Sequence, residues 1–366
     1  MRPIILLVAL IAVFGLSFSV NVSSCMQITS PGDYNLTADF SGAPYSYYFG
    51  SYTTCIQINA SSVTLDCGGH SITTTGNAAV EVEAPGTNVI VKNCVLNGGI
   101  GVDVLGMSGG RIVYNTINPG YAGISGVLAF AGWTGSDILY NNITGGTYGI
   151  WEPGDSNLIG NNRLINQGSV GLIDAGTGNM ITNNYISGSG GDGMIIDGSG
   201  QYVDSNTVDN SAGNGVDIYS YNQTFTFNTI SNSGNYGIWA GGEGSGDYTP
   251  DLGSISYNTI YNSGNTGLEV RGATLITFAN NNIYNNAEGV HLQNSAGEGF
   301  HPAVGNVFSG NNVHDNTGDG FNVFGVTGNS FVLNTGSNNG NNGMYLDSVD
   351  SVLVDPSFFC NNFVGV

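Results

Sequence analysis

The segment 205–219, SNTVDNSAGNGVDIY, contains the unit from which most of this chain is built. An Asn stands two positions before an aliphatic residue, and a Gly followed by another aliphatic residue comes nine positions after that Asn. The same unit returns at 227–240 as FNTISNSGNYGIWA, after 22 residues. A unit that recurs at such a period is typical of a repeat protein, in which each copy packs on its neighbours.

The repeat continues along most of the chain. Its Asn occupies Asn93, Asn115, Asn141, Asn162, Asn184, Asn206, Asn228, Asn258, Asn281, Asn311 and Asn334, and HSI at 70–72 resembles a degenerate first copy. Each period holds three short apolar runs separated by Gly, Asn and Ser, which favour turns. Three short strands per period, without a helical pattern, predict an all-β parallel solenoid of about a dozen coils with about 22 residues each.

Physical chemistry assigns the repeated Asn to a corner of each coil. Asn tolerates left-handed backbone conformations, and its side-chain amide can hydrogen-bond the backbone or the next Asn of the stack. The aliphatic residues are predicted to point inward, and the repeated Gly to allow close backbone approach at another corner. The recurrent Asn and Gly are therefore interpreted as structural residues rather than catalytic ones.

The composition argues against some classes of partner. Lys and Arg total 5 against 26 Asp and Glu, which gives a net charge of −21. Because nucleic acids and anionic membranes are bound through Lys and Arg, neither is an expected partner. The 4 His form no spaced metal motif, so no metal or cofactor is predicted; calcium is an alternative that no motif supports.

Residues 1–24 predict a secretory signal peptide. Arg2 supplies a positive start, and an uncharged, mostly apolar run follows it that is shorter than the roughly 20 residues of a membrane-spanning helix. Cleavage is expected near Ser19 or Ser24, which leaves 25–366 as one β-helix domain on the extracellular side, secreted or at the cell surface.

The cysteines support export. Cys25, Cys55, Cys67 and Cys94 lie close together in sequence, and disulfides there would staple one end of the solenoid. The preferred pairing is Cys25–Cys55 and Cys67–Cys94, although the sequence leaves other pairings open. Cys360 is expected to be a buried free thiol. A minority alternative is lipid anchoring at Cys25, because VSSC at 22–25 loosely fits a lipoprotein cleavage box.

Three stretches near the N-terminus carry a family resemblance: CMQITSPGDYNL at 25–36, CIQINASSVTLDCGGHSI at 55–72 and VKNCV at 91–95. With the repeat, they resemble the secreted right-handed β-helix proteins of the NosD and pectin-lyase-like superfamily, over roughly 25–355. The resemblance implies a right-handed parallel β-helix with an N-terminal cap at about 25–52. It is specific for the fold and weak for function, because the superfamily includes lyases, hydrolases, epimerases and adhesins.

Longer steps in the repeat predict three insertions, around 128–135, 241–252 and 295–304, that emerge at the same corner of the coil. The last two could wall a groove, and loops on a rigid scaffold often carry function. Beside that corner, the apolar residue after each repeat Gly is predicted to point inward, so the residue that follows it should point outward. These outward residues form a predicted column: Asp103, Ser125, Trp151, Ile173, Ile195, Asp217, Trp239, Glu269, His291, Asn322 and Tyr345.

Aromatic faces flanked by carboxylates and amides suit sugar rings. The predicted ligand-binding residues are Trp239, Tyr219, Gln293, Asn322 and Trp151. The candidate catalytic residues are Asp217, Glu269, Arg271 and His291, because two carboxylates on nearby coils suit glycoside hydrolysis. Glu152 and Asp174 form a secondary candidate pair; they fall on inward positions, and the strands are expected to end before them because Gly follows closely.

The leading functional hypothesis is a secreted or cell-surface β-helix protein that binds a glycan, polysaccharide or other cell-surface component, or acts as an adhesive or structural element. The runner-up is a polysaccharide-degrading hydrolase or lyase with its site on the strand face around 217–301. Lyases of this fold generally rely on Arg, Lys and calcium, whereas the chain after residue 24 has four basic side chains: Lys92, Arg111, Arg163 and Arg271. The oligomeric state stays open.

Overall fold

A computed structural model describes residues 19–47, 50–83, 86–126, 133–241, 251, 253–295 and 301–362. Over these residues the chain is a right-handed parallel β-solenoid of about 12 turns, with strands, turns and bends but no helix. Each regular turn contributes one short strand to each of three parallel sheets, named here sheets A, B and C. The predicted fold class is therefore confirmed.

Sheet A has 15 strands. Its strands are Ser19–Val22, Gly32–Leu36, Val63–Asp66, Ile90–Lys92, Arg111–Val113, Asp137–Leu139, Leu158–Gly160, Met180–Thr182, Tyr202–Asp204, Thr224–Thr226, Ser254–Ser256, Thr277–Ala279, Val307–Ser309, Ser330–Val332 and Leu353–Val354.

Sheet B follows sheet A in each turn. Its strands are Phe40–Ser41, Ser71–Thr73, Asn142–Thr144, Arg163–Ile165, Tyr185–Ser187, Thr207–Asp209, Thr229–Ser231, Thr259–Tyr261, Asn282–Tyr284, Asn312–His314, Thr335–Ser337 and Phe358–Cys360. Two longer strands, Val95–Val104 and Thr116–Ser125, run through both sheet B and sheet C.

Sheet C closes the turn and carries the predicted outward column. Its remaining strands are Met26–Ile28, Tyr52–Ile58, Ala78–Val82, Tyr148–Glu152, Val170–Asp174, Met194–Ile196, Val216–Ile218, Ile238–Gly241, Thr266–Arg271, Glu288–Gln293, Phe321–Phe324 and Met344–Asp347. Outside the three sheets, Gly86–Thr87 pairs with Met107–Ser108, and Tyr45–Tyr47 pairs antiparallel with Tyr52–Ile58.

The interior is filled by stacks of equivalent side chains. Ile181, Val203 and Phe225 occupy successive rungs of sheet A and are at most 1% exposed. Because every strand pairs in register with its counterpart one turn away, a residue type repeated in sequence becomes a continuous column in the core.

The repeated Asn side chains form a buried ladder, as predicted. The backbone N–H and the Nδ2 of Asn184 both donate to Oδ1 of Asn206, each at 2.9 Å. Asn206 donates to Asn228 in the same way, at 2.8 and 3.0 Å. These Asn residues are 1% exposed, so the ladder satisfies backbone groups that the corner would otherwise leave unpaired in the core.

The left-handed backbone conformation belongs to the residue before the ladder, which corrects the sequence interpretation. Tyr114 and Ser205, each preceding a ladder Asn, have φ of 60° and 57°. Asn93 has φ of 54° and belongs to this second column, so its assignment as the first repeat Asn is wrong. Cys94 takes the ladder position instead, and its N–H donates to Asn115 Oδ1 at 3.0 Å. A ladder side chain must point into the core, so the turn is made one residue earlier.

The solenoid starts earlier than the sequence indicated. Met26–Ile28 pairs with Tyr52–Ile58, and Ser19–Val22 pairs with Gly32–Leu36, so the segment expected to cap the helix is itself in register with the next turn. Residues 1–18, which contain most of the predicted signal peptide, lie outside the described residues.

The cysteine pairing is confirmed. Cys25 bonds to Cys55 and Cys67 to Cys94, with Cα–Cα distances of 4.7 Å in both. The Cys25–Cys55 bond leaves no thiol for a lipid, which overturns the alternative of a lipid anchor at Cys25. Cys360 is free but exposed rather than buried, because it lies on the last strand of sheet B with no further turn to cover it.

Among the described residues, no helix is long and apolar enough to cross a membrane.

Candidate functional site

The outward column of sheet C is paired in the predicted register. Asp217 pairs with Trp239, Trp239 with Glu269, and Glu269 with His291, followed by Asn322 and Tyr345. The column is much less exposed than a solvated strand face, however. Asp217 and Glu269 are 2% and 1% exposed, so these carboxylates are buried although they lie on the outer side of the sheet.

Glu269 is the centre of a hydrogen-bonded cluster. Its Oε1 accepts from Arg271 Nε at 2.7 Å and from Gln293 Nε2 at 3.2 Å. Its Oε2 accepts from Thr266 Oγ1 at 3.0 Å and lies 3.2 Å from His291 Nδ1. Burial alone would raise the pKa of Glu269, but the hydrogen bonds and positive charges of His291 and Arg271 bring it below its ordinary value. Glu269 is thus an ionised anchor for its neighbours.

Arg271 links this anchor to two aromatic rings. Its guanidinium donates to the Tyr236 hydroxyl at 3.1 Å and lies 5.4 Å from the centre of the Trp239 ring. The Tyr236 ring meets Trp239 edge-on, with centroids 5.6 Å apart. Such contacts hold a cation over an aromatic face without removing its charge.

Trp239, a predicted ligand-binding residue, is 9% exposed, so little of its indole face is open to solvent. Arg271 and Tyr236 cover the ring, and the backbone of Gly241 passes beneath its nitrogen. A Cβ on Gly241 would lie 2.4 Å from Trp239 Nε1, so only glycine leaves room for the indole here. Trp239 supports the site from behind, and Tyr236 is the ring that borders open space.

His291 lies between two carboxylates. Its Nδ1 is 3.2 Å from Glu269 Oε2 and 3.7 Å from Glu288 Oε2. Burial would lower the pKa of His291, but the hydrogen bond to Glu269 and both negative charges raise it. Burial raises the pKa of Glu288, while the amide of Asn322, which donates to Glu288 Oε1 at 2.8 Å, opposes the shift. Within one cluster, the pKa of Glu288 is therefore raised and that of Glu269 is lowered.

These residues line an open cleft of about 390 Å³. Its lining comprises Tyr236, Asn265, Thr266, Glu269, Arg271, Ala287, Glu288, His291, Gly318, Asp319 and Asn341. The structure thus brings together three of the four candidate catalytic residues, Glu269, Arg271 and His291. Tyr236, Glu288 and Asp319 were missed, because they lie in the corner between sheets B and C or at its edge, outside the column that the repeat selects.

Asp217, the fourth candidate, does not border this cleft. Its Oδ1 accepts from Asn214 Nδ2 at 2.7 Å, and its Oδ2 accepts from the predicted ligand-binding residue Tyr219 at 3.1 Å. Burial, and then the negative charge of Asp192 on the preceding turn, raise the pKa of Asp217 to about 7. The proposed pairing of Asp217 with Glu269 across the Trp239 rung is therefore not supported by a shared cavity.

Gln293 and Asn322 both enter the cluster, through Glu269 and Glu288. Trp151 lies five rungs from Glu269, half-buried against the ring of Tyr148 at 4.9 Å, and takes no part in the cleft.

Glu152 and Asp174 are the last residues of their strands, so the expectation that the strands end before them is wrong. They pair in register and both are fully buried. Glu152 Oε1 accepts from the N–H of Gly154 at 2.6 Å and from Asn157 at 2.9 Å. Asn179 Nδ2 lies between the two carboxyls, 2.9 Å from Glu152 Oε2 and 2.6 Å from Asp174 Oδ1.

This pair lies inside the solenoid. Burial, and then the charge of Asp174, raise the pKa of Glu152, and burial raises that of Asp174, so the two carboxyls retain a shared proton. The amides let the strands continue through positions that would otherwise bury two charges. We therefore assign the pair to stability rather than to a surface site.

The predicted insertions fall mostly on 127–132, 242–250 and 296–300, which lie outside the described residues. The described residues on either side of each insertion are consistent with one common corner. Each insertion follows a strand of sheet C, and after it the chain forms an isolated parallel β-bridge with a neighbouring turn, at Thr134, Asp251 and Val304. Within the described residues, no group of three or more His, Cys, Asp or Glu side chains is placed to hold a metal ion.

Comparison with known proteins agrees with this architecture. Residues 125–249 and 243–366 match the family model described as a right handed beta helix region. No curated protein gives a significant match.

Several solved structures are similar at low identity. The A-module of mannuronan C-5 epimerase AlgE6 from Azotobacter vinelandii is 15% identical, over 96% of this chain and 91% of that one, with a TM-score of 0.50. The Dettilon tailspike protein (gp208) is 15% identical over 92% of this chain and 62% of its own, with a TM-score of 0.52. The Agl-KA catalytic domain gives the same identity and coverage, with a TM-score of 0.50. This chain spans less than two thirds of the last two, and identity this low shows a shared fold alone.

Proposed function

We propose that this chain, which belongs to the right-handed beta-helix family, is an extracellular protein that binds a glycan in the sheet C cleft around Glu269, Arg271 and His291. The observation that carries the proposal is the cluster itself: a buried carboxylate with four donors holds a cation and an imidazole at the wall of an open cleft.

The cleft has the size and chemistry that a saccharide needs. Its volume of about 390 Å³ lies within the range of roughly 300–1,000 Å³ that is typical of small-ligand sites. Arg271 and His291 offer donors, Glu288 and Asp319 offer acceptors, and Tyr236 presents a ring. Sugars combine hydroxyl groups with apolar C–H faces, so such a mixture of polar groups and one aromatic ring suits them.

Rigidity supports binding as well. Glu269 holds Arg271 through its Nε, and Arg271 holds the Tyr236 hydroxyl, so the donors and the ring have fixed positions before any ligand arrives. A preorganised site loses less side-chain entropy when it binds.

Two further features favour an extracellular glycan partner. The Cys25–Cys55 and Cys67–Cys94 disulfides suit an oxidising compartment, in keeping with the predicted signal peptide. One structure of the same fold is a mannuronan epimerase, and mannuronan is a polysaccharide.

The test is calorimetric titration of the mature protein with a panel of neutral and acidic oligosaccharides, followed by the same titration of His291→Gln. Loss of this cleft-lining ring should weaken binding at least about tenfold, as for other central anchor residues. His314→Gln is the matched control, because His314 also contacts a carboxylate, Asp315, but lies on sheet B. Unchanged affinity in His291→Gln would place the glycan elsewhere, and a panel without any binder would refute the proposal.

A second candidate function is glycan hydrolysis with Glu288 as the general acid. Its specific support is that burial raises the pKa of Glu288, whereas His291 and Arg271 lower that of Glu269, and carboxyls driven apart in this way are typical of acid–base pairs. Release of reducing ends or unsaturated products from the panel would reveal turnover, and Glu288→Gln should abolish it while binding remains.

A further inference from the structure

A second cavity lies at the N-terminal end of sheet C. It has a volume of about 340 Å³, and its lining includes Tyr52, Asn77, Ile100, Asp103 and Tyr121. Asp103 and Glu269 are seven rungs apart in the same column, about 34 Å at about 4.8 Å per rung. The two cavities are therefore separate sites.

The cavity sits on a break in the sheet. The strand Val95–Val104 shifts register against Thr116–Ser125 between Gly98 and Ile100, where Gly98 has φ of 124°. Gly99, next to the shift, lines the cavity, and a Cβ there would lie 2.5 Å from the Asn77 carbonyl oxygen. The wall at this point is thus backbone that cannot carry a side chain. Such bulges often lie beside functional sites.

Asp103 lines this cavity and has one buried carboxylate oxygen that accepts no hydrogen bond from the described residues. Its residue is fully buried, and its Oδ2 accepts from the Tyr47 hydroxyl at 2.7 Å. Its Oδ1 has no hydrogen-bond partner among the described residues, and the same holds for both oxygens of Glu81 on the preceding rung. A buried carboxylate is costly unless it is paired, so this site lacks a partner of positive charge.

Among the described residues, no Lys or Arg is left to pair with this carboxylate. Every Lys and Arg after residue 24 is engaged elsewhere: Lys92 with Asp66, Arg111 with Asp137, Arg163 with Asn142, and Arg271 with Glu269. Burial raises the pKa of Asp103 to about 6, against the hydrogen bond from Tyr47, so the carboxylate is ionised at neutral pH. Glu81, whose pKa burial raises to about 9, stays protonated there. One negative charge remains uncompensated.

We propose that this cavity binds the primary ammonium group of a small organic ligand, with Asp103 Oδ1 as the partner of the ammonium and the Tyr52 and Tyr121 rings as walls. A primary ammonium has the N–H donors that Oδ1 lacks, whereas a quaternary ammonium does not. Aromatic faces attract such cations. A metal ion fits less well, because the described residues place no three acidic, His or Cys ligands together. Tyr121 is 43% exposed and stands at the entrance.

Glucosamine and putrescine are the probes, since an amino sugar and a linear diamine share this ammonium chemistry and differ in everything else. N-acetylglucosamine is the matched control, because acetylation removes the charge and leaves the sugar ring. Binding is measured by calorimetry at about pH 8 for the wild type and Asp103→Asn. We expect glucosamine to bind, and both N-acetylation and Asp103→Asn to weaken the affinity at least about tenfold.

Tyr121→Ala keeps the test decisive if Asp103→Asn fails to fold, because loss of an exposed ring should weaken amine binding several-fold without disturbing the core. If putrescine binds as tightly as glucosamine, the site recognises the ammonium group and not the rest of the ligand, which supports the proposal. The proposal is overturned if N-acetylglucosamine binds as well as glucosamine, if neither amine binds, or if calcium binds and the amines do not. It does not rest on the glycan proposal, and His291→Gln should leave amine binding unchanged.

Discussion

Replacement of Glu152 by Gln should remove one proton from the unfolding equilibrium of this protein. Glu152 and Asp174 are fully buried partners on adjacent rungs, with raised pKa values and a shared proton at neutral pH. In the unfolded chain both carboxyls titrate near their ordinary values of about 4, so that proton is released.

The sign follows from the raised pKa. The folded state binds more protons than the unfolded state. The contribution of the pair to the free energy of unfolding is therefore completely present below about pH 4, and it falls as the pH rises toward the folded pKa values. One retained proton corresponds to about 1.4 kcal/mol per pH unit. Between about pH 5 and pH 7 the wild type should therefore lose about 2.7 kcal/mol from the proton on Glu152.

Glu152→Gln should lose none of this Glu152 contribution, whereas burial still raises the pKa of Asp174, so that part of the pH dependence is common to both proteins. The glutamine side chain can still accept from Gly154 and Asn157, and its amide N–H lies beside Asp174, its partner on the adjacent rung, as a donor. One acceptor for Asn179 is lost, which costs about 1 kcal/mol at every pH. The variant should thus be slightly less stable than the wild type in acid and more stable at neutral pH.

Two measurements test this. Urea unfolding followed by circular dichroism gives the free energy of unfolding at each pH for the wild type and for Glu152→Gln. Contributions that both proteins share, such as that of Asp217, cancel when the slopes of the two curves against pH are subtracted. Proton release on unfolding in weakly buffered denaturant at about pH 7 should be about one proton smaller for Glu152→Gln. Asp197→Asn, at an exposed position one rung further, is the control for the loss of a carboxyl outside the core. Equal proton release by wild type and Glu152→Gln would show that Glu152 is ionised in the folded state and refute the reasoning.

Three further outcomes are expected. Asn206→Ala should lower the free energy of unfolding by about 2–4 kcal/mol, because it removes the acceptor of the backbone N–H and Nδ2 of Asn184 and the amide donor to the Ile181 carbonyl; an exposed change, Asn235→Ala, is the comparison in denaturant titrations. A maleimide should label the folded, non-reduced protein once, at Cys360, and labelling of a second cysteine would contradict the two disulfides. Mass spectrometry of the exported protein should place its N-terminus near Ser19 rather than Ser24, because cleavage near Ser24 would discard a strand of sheet A whose Val22 is buried in the core.

The sequence by itself determined the period, the three strands per turn and the register of sheet C from Asp103 to Tyr345. It also indicated both disulfides. The physical reason is that backbone pairing in a solenoid is repetitive and close in sequence: each strand meets its counterpart about one period away, so counting residues locates the partners. The same counting failed by one residue at Asn93, because a corner needs both a left-handed residue and an inward one, and Asn suits either position.

Only the tertiary structure decided which outward side chains are covered. Glu269 became a buried anchor because Thr266, Arg271, Gln293 and His291 converge on it from two strands, and Trp239 was hidden by Arg271. Asp103 was likewise covered by Tyr47 from an antiparallel strand outside the repeat. Side-chain conformations and contacts across several turns set these features, and they follow no period, so the alternation of faces along a strand could not reveal them.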